Sequence, residues 1–153
     1  MKITNLSSRD SAEVRRLVRV ACRELPASVR RLLYVEVRDT RGAAWNGCAG
    51  DTHRHQFTLA EWQRIPGDAR YVIHCGVGPD ARFPTPDGLR RNPGLRIADW
   101  REAVVFVTAH EAKHVERFSR GIYRNGREGE AAGDAHGRWV LEQWRQREVA
   151  ACS

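Results

Sequence analysis

Lysine is almost missing from this chain: two residues stand against 24 arginines in a sequence of 153 with a net charge of +7. The basic charge is therefore arginine charge spread along the whole length, a skew that GC-rich coding produces without any phosphate partner. Long apolar runs are missing too, and no segment approaches the ~18 residues of a membrane span. The start, Met1-Lys2-Ile3-Thr4-Asn5-Leu6, lacks the apolar core of a secretory signal, so a cytoplasmic location is expected. Cys22, Cys48, Cys75 and Cys152 form no CxxC pair, which argues against a zinc ribbon or a small disulfide scaffold and for free thiols. There is no internal repeat and no linker. The expectation is one monomeric domain over 1–153, in which 41% hydrophobic residues, including five tryptophans, furnish a modest core.

Against these absences stands His110-Glu111-Ala112-Lys113-His114, the HExxH pattern of zinc-dependent peptide hydrolysis. On a helix, residues i and i+4 lie one turn apart on the same face, so the two imidazoles can meet one tetrahedral ion. Glu111 then flanks the open position, where a carboxylate can take a proton from attacking water and return it to the leaving amine. The surroundings predict a helix. Asp99-Trp100-Arg101-Glu102 reads as a capping box, and no Gly or Pro follows until Gly121. Trp100, Val104, Val107, Val115 and Phe118 supply an apolar stripe. Val104 to Val107 alone also reads as a short strand, but the cap and the helix formers after it favour helix.

A zinc site needs a third protein ligand. Glu128, Glu130, Asp134 and His136 are on offer, and Glu130 is the choice because Asp134 lies one turn beyond it, where it can accept the other ring N–H of His110. His136, six residues beyond Glu130, points elsewhere on a helix; it and Glu128 are the alternatives. With this pair the chain resembles the gluzincin metallopeptidases, the thermolysin-like group: HExxH, then a second helix with ExxxD, here Glu130-Ala131-Ala132-Gly133-Asp134. The resemblance covers residues 99 to 149, with a shorter interval between the motifs and Gly133 where the family usually has Ala. It implies Zn2+ held by His110, His114 and Glu130, Glu111 as the catalytic base and acid, Asp134 behind His110, and a peptide or protein substrate. Tyr123, Arg127 and His136 are candidates for stabilising the oxyanion.

Two other readings remain. His136-Gly137-Arg138-Trp139 is loosely similar to an element of SprT-like DNA-associated proteases, and a non-catalytic binding module of zincin fold would not need Glu111. Arg15, Arg16, Arg19 and Arg23, and again Arg117, Arg120, Arg124 and Arg127, are clustered. A nucleic-acid partner stays open but is not favoured, because no recognised nucleic-acid motif accompanies the charge.

The earlier chain reads as scaffold. Asp10-Ser11-Ala12-Glu13 caps an amphipathic helix with Val14, Leu17, Val18, Ala21 and Leu25 inward, stopped by Pro26. Leu33, Val35 and Val37 alternate as a strand; Phe57 and Leu59 suggest another after a glycine-rich turn at Gly47 and Gly50. Tyr71, Ile73, Cys75 and Val77 form the clearest later strand, assigned by resemblance as the edge that binds the substrate backbone. The proline-rich loop from Gly78 to Ala98 either borders the cleft or merely connects. The expected fold class is α+β: a minimal zincin-like domain, its small twisted mixed sheet packed on the HExxH helix with N-terminal and C-terminal helices, the last ending near Arg147.

Overall fold

The alternation at Leu33, Val35 and Val37 does form a strand, and the strand is covered on both faces. In the computed structural model, which describes residues 1–42, 45–85, 94–123 and 126–151, four strands make one sheet: β1 (Lys2–Leu6), β2 (Leu33–Arg38), β3 (Trp45–Asp51) and β4 (Tyr71–Val77). Their order is β1-β2-β4-β3; β1 and β4 run parallel to β2, and β3 runs antiparallel to β4. Odd-numbered residues of β2 and β4 enter the main core, whereas Tyr34 and Val72 pack with Ile65 and Phe57 on the opposite side.

Five helices among the described residues complete a mixed α+β fold: α1 (Ser11–Ala21), α2 (Ala27–Arg31), α3 (Leu59–Trp62), α4 (Trp100–Ser119) and α5 (Arg127–Ala151). The Asp10 side chain caps α1 by accepting the Glu13 N–H, and Val14, Leu17, Val18 and Ala21 are buried as their spacing predicts. Asp99 caps α4 by accepting the N–H groups of Arg101 and Glu102 at 2.8 and 3.0 Å. Glu102 does not close a reciprocal box; its carboxylate accepts the Ala98 N–H and holds Arg145 of α5. Every residue from Glu102 to Ala109 is buried, because α4 packs against α1, α5, β3 and β4 at once. A helix enclosed on all sides reads as a continuous apolar run, which is why Val104 to Val107 also resembles a strand.

Several expectations are corrected. Phe57 and Leu59 share no strand: Thr58 and Glu61 form a complete capping box, so Leu59 begins α3. Gly47 and Gly50 lie inside β3 rather than in a turn. The Tyr71–Val77 strand is not an edge, since β2 and β3 pair on its two sides; the edge beside α4 is β3. The first strand, Lys2–Leu6, has too polar a centre to announce itself. Cys22, Cys48 and Cys75 are free thiols, and Cys152 lies outside the described residues. The described ends of the Gly78–Ala98 loop close on each other through Thr85 and Ile97, and Leu95 and Ile97 enter the core; Pro86 and Pro93 lie outside the described residues, as does Arg124. No helix of the described residues is long and apolar enough to cross a membrane.

Candidate metal centre

The helical period of α4 puts His110 and His114 side by side, their Nε2 atoms 3.1 Å apart. The helix then stops in two hydrogen bonds, Gly121 N–H to the Phe118 carbonyl and Ile122 N–H to the Arg117 carbonyl, both 2.9 Å. Gly121 has φ +78, the left-handed conformation such a stop requires. The chain reverses and α5 returns along α4 on Gly129, Gly133 and Gly137, which are buried at i, i+4 and i+8. This close approach delivers Glu130. Its Oε2 lies 3.7 Å from His110 Nε2 and its Oε1 3.5 Å from His114 Nε2. Asp134, one turn on, sits 2.9 Å from His110 Nδ1.

These donors suit a metal ion. One ligand atom each from His110, His114 and Glu130 lie mutually within 4.8 Å. A tetrahedral ion with bonds of about 2.0 Å sets its ligand atoms roughly 3.3 Å apart, and the separations here straddle that value. With Asp134 accepting from Nδ1–H, the His110 Nε2 lone pair faces the cluster, as a ligand must. A Cβ at Gly133 would lie 2.8 Å from His110 Cε1, so the imidazole occupies the space a larger residue would take.

Glu111 is buried on the sheet side of α4, against the edge strand. A Cβ at Gly47 would meet its Cγ and Oε1 at 2.7 Å, so the glycine in β3 makes room for the carboxylate. Burial, and then the Glu130 carboxylate beside it, push the Glu111 carboxyl up to about 8. A cation among the ligands would oppose that rise.

The other candidates fall elsewhere. His136 stacks on Trp139, ring centroids 5.8 Å apart, and is not in the cluster; burial lowers its pKa. Glu128 and Arg127 are exposed at the start of α5. Tyr123 is placed by its own contacts: its hydroxyl donates to Asp51 Oδ2 at 3.1 Å, and its ring stacks on Phe118 at 5.6 Å. Phe118 in turn lies 6.5 Å from the His114 ring. Phe118, Tyr123, Asp51 and Arg54 line an open cleft of ≈ 380 Å³ beside the end of β3. Sequence reading missed the room that Gly47 and Gly133 leave for Glu111 and His110, and this cleft. The one available signal was the run of glycines four residues apart in α5, which marks a close helix contact.

In comparison with known proteins, no family model, no curated protein and no solved structure matches this chain.

Proposed function

We propose that this protein is a zinc-dependent metallopeptidase, a minimal zincin-like enzyme of gluzincin type acting as a cytoplasmic monomer on a peptide or protein substrate. The observation that carries the reading is the convergence of His110, His114 and Glu130 from two helices, with Glu111 beside them and Asp134 behind His110. Zinc bound there would supply Lewis-acid polarisation of the scissile carbonyl and acidify the attacking water. Asp134 keeps the His110 tautomer that presents Nε2. Glu111 accepts the proton of the attacking water and hands it to the leaving amine, so that one carboxylate serves as base and then acid. Strand β3 offers the free edge along which an extended substrate pairs its backbone, and Gly47 of that strand lies directly against Glu111.

The test is metal content together with hydrolysis of casein or a peptide library. Purified protein is expected to hold one zinc per chain. His110→Ala should lose the metal. Glu111→Gln should keep it while hydrolysis falls at least ~100-fold. Zinc affinity should drop in Glu130→Ala and stay unchanged in His136→Ala. Full activity of Glu111→Gln would sink the mechanism; zinc binding without hydrolysis of any substrate would leave the non-catalytic binding module. DNA retention that fades with salt would favour the SprT-like alternative.

A further inference from the structure

The cleft beside the cluster carries Arg54, an exposed arginine. Arg54 follows the end of β3 in a turn closed by its own N–H on the Asp51 carbonyl at 2.9 Å. Its guanidinium carbon lies 4.2 Å above the Tyr123 ring. That ring is itself fixed, by the hydrogen bond to Asp51 and the stack on Phe118. Among the described residues no carboxylate comes within ion-pair distance of Arg54. Asp51, which lines the same cleft, is buried and occupied: besides Tyr123 it accepts the His53 N–H at 3.0 Å and pairs with Arg70 at 3.6 Å. Among the described residues, one positive charge of the cleft has no carboxylate paired with it.

The way the guanidinium is held decides what it can bind. With a flat face taken by Tyr123, its N–H edge stays available, and that edge matches a planar two-oxygen acceptor. The cleft is one aromatic ring from the cluster, since Phe118 both lines it and lies against His114. A peptide paired along β3 would run toward this cleft, which opens beside the end of that strand.

We infer that this cleft recognises a carboxylate and that Arg54 is the specificity-determining residue that reads it; the inference rests on the peptidase reading. The carboxylate is either an acidic side chain or the free C-terminus of the substrate.

The zinc-loaded full chain is given fluorescent octapeptides in four arms: an acidic side chain with an amidated C-terminus, the matching Gln or Asn peptide with an amidated C-terminus, a free C-terminus without acidic side chains, and a peptide with neither. Binding is read by anisotropy and cleavage by steady-state kinetics. One carboxylate arm is expected to bind roughly tenfold or more tighter than its neutral counterpart, the range of a charge-assisted pair, with the gain in KM. The arm that gains identifies the source. Arg54→Gln should erase the difference, Arg54→Lys should restore part of it, and Arg54→Glu should turn the preference toward peptides bearing Lys or Arg. Equal handling of all four arms, or a preference that survives Arg54→Gln, overturns the inference. Discrimination in binding without any cleavage would sustain the cleft and remove the peptidase; cleavage of every arm alike would do the reverse. A chain that neither binds nor cuts any arm refutes both.

Discussion

At Gly133 a hydrogen in place of a methyl group leaves the space that the His110 imidazole fills, with ring atoms 2.8–2.9 Å from where a Cβ would sit. Alanine there would raise helix propensity by about 1 kcal/mol and press on a ring that Asp134 holds at Nδ1. The two effects oppose each other in folding but not in metal binding, where only the ring position counts. Gly133→Ala is therefore expected to leave metal-free stability within ~1 kcal/mol of the parent while weakening zinc roughly tenfold or more, the scale of displaced ligand support. Competition against a chromogenic chelator measures it, and an unchanged zinc affinity would refute the role given to the glycine. The pairs His110–His114 and Glu130–Asp134 were legible in the sequence, because helical period brings i and i+4 together whatever the rest of the fold does; that the second pair faces the first depends on the reversal at Gly121 and the close approach of α5. Gly47 and Gly133 were not legible, since a glycine's purpose lies in what faces it. The Asp51–Tyr123 hydrogen bond joins residues 72 apart in the chain, beyond any local pattern.

Strand β4 shows the same division one level up. Its existence was plain from Tyr71, Ile73, Cys75 and Val77, but its interior place was not, because pairing partners are chosen over long range. β3 escaped notice since Asn46, Gly47, Gly50 and Asp51 are poor strand formers; small residues stand there for the room they leave to Glu111, Phe57 and His55. The burial of β4 on both faces also encloses His74, whose Nε2 has no hydrogen-bond partner among the described residues. Burial lowers its pKa; Arg38 and Arg64 push the same way, while Glu36 and Glu61 oppose them. The unfolded chain takes this proton near 6.5 and the folded one only at lower pH. Between those values the unfolded state binds more protons, so this contribution to stability is present above 6.5 and is lost as the pH falls toward the folded pKa. His74→Gln is expected to reduce the loss of urea stability between about pH 7 and pH 5, by no more than ~1.4 kcal/mol per pH unit, the limit for one proton. His136, lowered by burial in the same sense, leaves a residual slope. Superimposable pH profiles for parent and variant would show that His74 titrates alike in both states.

Across the whole molecule, arginine–glutamate pairs among the described residues tie the helices around the core: Arg101 to Glu13 joins α4 and α1 at 3.1 Å, Arg16 to Glu148 joins α1 and α5 at 2.6 Å, and Arg145 to Glu102 joins α5 and α4 at 2.7 Å. Each is partly solvated and contributes little alone. The candidate metal centre lies on one of these joints, with two ligands from α4 and one from α5, so an ion there would fasten the two helices that flank the turn through Gly121. An unfolded chain keeps only the His110–His114 pair near in sequence and loses the contribution of Glu130. Zinc should therefore bind the folded state preferentially and stabilise it by mass action, about 2.7 kcal/mol when free zinc exceeds its dissociation constant a hundredfold. For a domain of this size that amounts to roughly 5–10 °C in Tm. EDTA should reverse the shift, and magnesium, which prefers octahedral oxygen sites, should not reproduce it. His110→Ala should fail to respond whatever its own metal-free Tm, because it takes away one of the three donors. A Tm indifferent to zinc, or one that rises equally in His110→Ala, would mean that the converging donors hold no ion, and the proposed chemistry would fall with it.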